Sequence, residues 1–248
     1  AALAQDQAGF FWIGTGAGLM RYDGYNFRVQ LRADGQGLGF VRALLAARDG
    51  RLWIGTESDG LAIHDPGSEQ ITVYRSEPGR SDALAAGTIR ALAEDRDGAI
   101  WVGTIGGGLD RFDPASGRFQ HHRRATEGLP DDRVQALLVD SRGVLWVGSW
   151  KGLSRRLPGS RVFEPVLSGP GEPLAERIIT SIYEAEDGRI WAGSQQGDLA
   201  LIDMPGDGRA QLLPRPGDHG SVAAFVAATA GEIWVGRTGG IEVRALDG

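Results

Sequence analysis

Asp95-Arg96-Asp97-Gly98-Ala99-Ile100-Trp101-Val102-Gly103-Thr104-Ile105-Gly106-Gly107-Gly108-Leu109-Asp110-Arg111-Phe112-Asp113-Pro114 decides the fold, because most of the chain repeats it. With Trp101 as origin, aligned tryptophans stand at Trp12, Trp53, Trp146, Trp191 and Trp234. Each has a glycine three residues before it (Gly9, Gly50, Gly98, Gly143, Gly188, Gly231) and another two after it (Gly14, Gly55, Gly103, Gly148, Gly193, Gly236). Successive tryptophans are 41, 48, 45, 45 and 43 residues apart, the period that a four-stranded propeller blade requires. The expected fold is therefore all-β, a β-propeller of four-stranded antiparallel blades with six repeats visible.

Within one unit the chemistry assigns each segment. Ile89–Glu94 is a short, mostly apolar run and reads as the innermost strand, packed on both faces by neighbouring blades. Residues 95–98 form a hairpin turn in which Gly98 takes the positive φ and the Asp carboxylate accepts backbone N–H groups. Residues 99–104 are the second strand, carrying the Trp as its largest apolar group. Leu109–Asp113 and Arg118–His122 follow as third and outer strands, the latter on the rim. The same pattern places blades at residues 1–31, 40–75, 88–123, 133–167, 178–214 and 221–248, one propeller or part of one across 1–248. The sixth repeat lacks its outer strand, which predicts a piece of a longer protein with one edge unprotected.

Bulk composition narrows the function classes. The 39 glycines of 248 residues sit at periodic turns, which excludes collagen-like and low-complexity readings. Net charge is −6 with acids and bases interspersed, so no basic block is present to neutralise a phosphate backbone, and nucleic acid is not an expected partner. The chain has no Cys, which is compatible with cytosol and with an oxidising compartment. No apolar run approaches the length of a membrane span.

Residues 89–104, Ile-Arg-Ala-Leu-Ala-Glu-Asp-Arg-Asp-Gly-Ala-Ile-Trp-Val-Gly-Thr, followed by Gly107-Gly108-Leu109-Asp110-Arg111-Phe112-Asp113, closely resemble the two-component regulator propeller repeat. The resemblance covers the whole chain and is strongest around Trp53, Trp101 and Trp146. It weakens where Ala185 and Ala228 replace the turn Asp and where Arg237 replaces the Thr after Trp-x-Gly. This repeat occurs in extracytoplasmic sensor regions of bacterial histidine kinases, hybrid two-component receptors and some diguanylate cyclases. The resemblance implies a periplasmic, non-catalytic sensor that binds a small polar ligand, a saccharide or an anion, and needs no cofactor. It implies a downstream membrane-anchored signalling module as partner and leaves room for a homodimer.

Propeller ligands bind at the mouth of the central channel, lined by the first residues of the inner strands and by the loops between second and third strands. The second inner-strand position reads Arg42, Arg90, Gln135, Thr180 and Ala223, a polar set in an apolar strand. The loops read Glu57-Ser58, Ile105-Gly106, Trp150-Lys151, Gln195-Gln196 and Arg237-Thr238. The expected ligand-binding residues are therefore Arg42, Arg90, Gln135, Thr180, Trp150, Lys151, Gln195, Gln196 and Arg237. Trp150 stands outside the repeat register, so it either stacks on a ligand or caps a blade core. The six register tryptophans read as core.

Other candidates read as structural. His121 and His122 fall on an outer strand, where neighbours point to opposite faces, so they cannot share a metal and read as surface residues. His64 and His219 are isolated, and no Ser, His and Asp set suggests a nucleophile, so neither metal site nor catalytic residue is expected. Glycine clusters at 14–18 and 106–108 precede strands rather than helices and read as hairpin turns. Asp131-Asp132 reads as a solvated loop face. Two alternatives stand beside the sensor. One is a structural or protein-binding propeller working through the long loops 76–87 and 124–132. The other is a metal-dependent enzyme similar to virginiamycin B lyase, for which four His outside inner strands are a poor endowment.

Overall fold

Each Trp-x-Gly motif lies on the second strand of an antiparallel meander, and the turn before it reverses the chain through a glycine of positive φ, as at Gly98 (φ 83°). The computed structural model describes residues 2–77, 79–168, 172–174, 177–203, 209–214, 220–228 and 231–246. The chain divides into two compact units, Ala1–His122 and Arg123–Gly248. His219 lies outside the described residues.

The first unit holds three blades. They are β1 (Ala2–Gln5), β2 (Phe11–Thr15), β3 (Gly18–Tyr22) and β4 (Phe27–Val29); β5 (Val41–Ala46), β6 (Leu52–Thr56), β7 (Leu61–Asp65) and β8 (Gln70–Tyr74); and β9 (Ile89–Glu94), β10 (Ile100–Thr104), β11 (Leu109–Asp113) and β12 (Arg118–His122). Each pairs in sequence order as a four-stranded sheet.

The second unit opens with one helical turn, α1 (Arg124–Glu127), inside the segment expected to be loop. Its first blade is β13 (Val134–Val139), β14 (Leu145–Ser149), β15 (Gly152–Arg156) and β16 (Glu164–Pro165). Short strands β17 (Leu167–Ser168) and β18 (Glu172–Pro173) follow, then β19 (Ile179–Glu184), β20 (Ile190–Ser194), β21 (Leu199–Ile202) and β22 (Ala210–Leu212). Here the four-stranded expectation needs correction: β17 adds to β22 in parallel, giving a six-stranded sheet in the order β18-β17-β22-β21-β20-β19. The chain leaving β16 supplies these extra edges, and only Glu164 and Pro165 pair with β15 as an outer strand. The last blade is β23 (Val222–Ala227), β24 (Glu232–Arg237) and β25 (Gly240–Ala245), three strands as expected.

The cores lie between blades. Trp12 stacks on His64 of the next blade at 4.7 Å between ring centroids, and Trp53 meets Phe112 of the next at 5.3 Å. In the second unit Trp146 shares an apolar cluster with Ile190 and Ile202, and Trp191 lies 6.4 Å from Phe225. Five register tryptophans are fully buried, but Trp234 is 47% exposed, so the core reading fails there. Its outer face has no neighbouring sheet within its own unit.

The expectation that the inner strand is buried on both faces is also corrected. β9 alternates buried and half-buried residues, whereas the Trp strands β6, β10, β14 and β20 are buried at every position. Close approach explains this. A Cβ on Gly55 would meet Ile89 Cγ2 at 2.6 Å, and one on Gly193 would meet Val222 Cγ1 at 2.3 Å. The glycine after Trp-x lets the next inner strand lie directly on the sheet.

Candidate ligand-binding loops

The ladder between inner and Trp strands breaks at one place in every blade where both neighbours are described. Val41 faces Thr56 and Ala43 faces Gly55, which leaves Arg42 unpaired as a β-bulge. Arg90, Gln135, Thr180 and Ala223 are the corresponding bulge residues of β9, β13, β19 and β23. A bulge adds one residue to a strand and re-aims its side chain. The polar set noted in the sequence thus occupies one recurring irregularity rather than a regular strand position.

A backbone clamp lies beside each bulge. The amides of Glu57, Ile105, Trp150, Gln195 and Thr238 donate to the carbonyls of Phe40, Thr88, Arg133, Ile178 and Ser221, the last residues before each inner strand, at 2.8 to 3.1 Å. The loop between second and third strands is thereby fixed to the start of the inner strand, so each blade presents a bulge residue, a loop residue and a pre-strand residue from one rigid frame.

In the first unit this frame gathers Phe40, Arg42 and Glu57. The Arg42 guanidinium lies 3.7 Å from the Phe40 ring centroid and its Nε donates to Glu57 Oε2. Thr88 Oγ1 donates to the Glu57 carbonyl at 2.8 Å, tying this loop to the next blade. Arg90, on that next blade, is half-buried, and its buried Nε has no hydrogen-bond partner among the described residues.

In the second unit Trp150 is 39% exposed and belongs to no apolar cluster among the described residues, so it does not cap a blade core. The Arg133 guanidinium covers its ring at 4.2 Å from the centroid. Arg133 donates to both carboxylate oxygens of Asp131 at 2.7 Å, and these hydrogen bonds hold the Asp131 carboxyl below the ordinary aspartate range. Asp131 is buried, which corrects its reading as a solvated loop acid. Lys151 is exposed beside Trp150. The Gly152 amide donates to Arg177 and the Gln195 amide to Ile178, so one two-residue segment joins the loop bearing Trp150 and Lys151 to the loop bearing Gln195 and Gln196. Both glutamines are exposed, and Gln196 Oε1 accepts the Ile178 amide at 3.3 Å.

The remaining candidates are placed differently. Gln135 is half-buried on its bulge. Thr180 Oγ1 donates to the Val222 carbonyl at 2.6 Å, a link between neighbouring inner strands. Arg237 ends β24, at the position where Thr56 and Thr104 bond their own loops, and is buried. Its guanidinium donates to Glu242 at 2.6 Å and to the Gly197 carbonyl at 2.8 Å, tying the last two blades together. Burial pushes the Glu242 carboxyl up, but Arg237 and Arg244 outweigh it and hold the group below its ordinary range. Arg237 still borders an open cleft with Thr238, Ile241 and Glu242. Sequence reading missed Phe40 and Arg133 and took Asp131 for a solvated acid; the signal for Phe40 and Arg133 is their place immediately before the inner strand, a position that the repeat register makes countable.

The two-component regulator propeller family model matches residues 35–58, 83–106, 128–151 and 173–196. Among curated proteins none matches the sequence significantly. The fold is similar to the extracellular domain of the protein BT3049 from B. thetaiotaomicron, assigned as a hybrid two-component system, at 22% identity and TM-score 0.82 over 99% of this chain and 33% of that one. It is similar to that of BT4673 of the same organism at 20% identity and TM-score 0.82, over 99% of this chain and 31% of that one. Virginiamycin B lyase from Staphylococcus aureus, as the inactive H270A form with quinupristin, aligns at 14% identity and TM-score 0.74, over 99% of this chain and 83% of the lyase. The chain spans about a third of the length of the two-component structures, and at these identities the likeness is one of fold. Four stretches of the chain match the two-component regulator propeller repeat, and each match ends at a clamped loop.

Proposed function

We propose that the chain is an extracytoplasmic, ligand-sensing propeller segment of a bacterial signal-transduction receptor. It is not itself catalytic, and it binds a small polar ligand at its bulges and clamped loops, the positions expected to line a channel mouth. The supporting observation is that one rigid frame recurs in five blades while the side chains it carries differ in every copy: Arg42 with Glu57, Arg90, Gln135 with Trp150, Thr180 with Gln195. Within a unit, a repeated frame with unlike side chains presents a recognition surface. Its exposed Trp150 face and neighbouring Lys151, Gln195 and Gln196 suit a saccharide or a small polar anion. The matched repeat and the two-component relatives support a signalling module beyond this segment and an extracytoplasmic site of action; a homodimeric, membrane-anchored receptor is part of the proposal.

A panel of neutral and acidic mono- and disaccharides screened by thermal shift and by tryptophan fluorescence tests this reading. A ligand that raises Tm should lose about tenfold or more in affinity in Trp150→Ala, the scale of losing a stacked aromatic contact, with Arg42→Ala and Arg90→Ala assayed beside it. Retained affinity in all three folded variants would sink the assignment.

A further inference from the structure

His121 lies on β12, its side chain one-fifth exposed, and both of its ring nitrogens meet oxygen. Nδ1 is 2.7 Å from Oδ1 of the fully buried Asp110 on β11, and Nε2 is 2.8 Å from the Ser81 carbonyl. The second carboxylate oxygen of Asp110 accepts the Ala85 amide at 2.7 Å. Ser81 and Ala85 belong to the long segment between β8 and β9, so His121 and Asp110 together hold that segment to the blade at two points. His122, the next residue, turns the other way onto Trp101, 5.1 Å between centroids.

A carbonyl only accepts, so the Ser81 bond requires a proton on Nε2. The contact between Nδ1 and Oδ1 requires a second proton, written on the imidazole or on the carboxyl with the same total count. A neutral imidazole beside a carboxylate has one proton for two acceptors and must abandon one of them. We propose that His121 and Asp110 form a proton-binding site whose extra proton latches Ser81, in the segment between β8 and β9, onto the third blade, and whose loss on raising pH opens that tie while the Ala85 amide stays bonded to the Asp110 carboxylate. Other charges around the site are internally matched. Arg80 bonds Glu77 and Asp82 within the segment, and Arg118 on β12 adds its field at Asp82. The latch is fully formed while the pair holds both protons and opens as pH rises and one departs. The inference stands independently of any ligand at the loops.

Side-chain 15N NMR of the whole chain, combined with the carbonyl 13C shift of Ser81, tests it from about pH 5 to about pH 8. Both His121 nitrogens should carry protons at the acid end, and the Ser81 carbonyl resonance should shift as its hydrogen bond is lost when one leaves. In His121→Gln, which cannot titrate, the Ser81 carbonyl shift should be flat with pH. A single ring proton throughout, a Ser81 carbonyl shift that ignores the titration, or the same profile in native chain and His121→Gln would each overturn the latch. Tryptophan fluorescence establishes that the fold is intact in each sample, and the native profile decides alone if the variant does not fold.

Discussion

Asp95 does two things at once. Its backbone closes the hairpin, with the Gly98 amide donating to its carbonyl at 3.1 Å, and its carboxylate accepts the Trp101 indole N–H at 3.0 Å. Asp6 and Asp140 hold Trp12 and Trp146 in the same way, at 2.7 and 3.0 Å. Where alanine takes this place, at Ala47 and Ala185, the backbone turn is unchanged but the indole nitrogens of Trp53 and Trp191 are buried with no partner among the described residues. Asp95→Ala should therefore destabilise by about 1–3 kcal/mol, the cost of stranding a buried donor. Ala47→Asp should stabilise by about 1 kcal/mol, because the turn already sets the carboxylate's position. Urea denaturation followed by fluorescence measures both, and an unchanged midpoint for Asp95→Ala would show that the indole bond contributes nothing. The sequence marks the turn Asp by its spacing to Gly. Its bond to the tryptophan six residues later arises only once the hairpin folds the indole edge back over the turn, so composition could not reveal it. Likewise His121 read as a surface residue, since its buried acceptor comes from one strand and its second from a distant segment.

At the scale of elements, the glycine after Trp-x meets the next inner strand at Gly14, Gly55, Gly148 and Gly193 but has open room at Gly236. Neither Gly193 nor Gly236 needs a left-handed backbone, so steric room alone distinguishes them. A Cβ at Gly193 would press into Val222 Cγ1 at 2.3 Å and Ser181 Oγ at 2.7 Å, whereas at Gly236 the nearest atom is an Ala224 carbonyl oxygen at 3.6 Å. Gly193→Ala should cost about 1–3 kcal/mol by overpacking, and Gly236→Ala less than about 0.5 kcal/mol. Equal effects in thermal denaturation would mean that the glycine serves the hairpin rather than the seam between blades. Period and residue type were enough to place the inner and Trp strands within a residue or so. Two features escaped that reading. The bulge is invisible because it depends on which residues pair across strands, and the extra β17–β18 hairpin has no repeat counterpart to align with.

Across the whole molecule, burial against a neighbouring blade sets how stability responds to acid. His64 is packed on Trp12 where the third blade presents Phe112 to Trp53, and its Nε2 has no hydrogen-bond partner among the described residues. Burial depresses its proton affinity, outweighing the attraction of Glu69, whose carboxylate lies 3.7 Å away and also pairs with Arg21. A histidine whose folded value is lowered contributes stability that is present above its unfolded value, about 6.5, and is lost as pH falls below it. Asp131 and Glu242, also depressed, add losses in the same direction lower down, below about pH 4. The proposed His121 latch runs the opposite way and affects one segment rather than the fold. His64→Phe reproduces the packing of the third blade and removes a buried, ionisable group, so it should flatten the decline in unfolding free energy that begins below about pH 6.5 while leaving the carboxylate-driven loss below about pH 4. Denaturant titrations across this range read it directly. A variant whose stability declines as steeply as the native chain would place the acid sensitivity elsewhere than at His64.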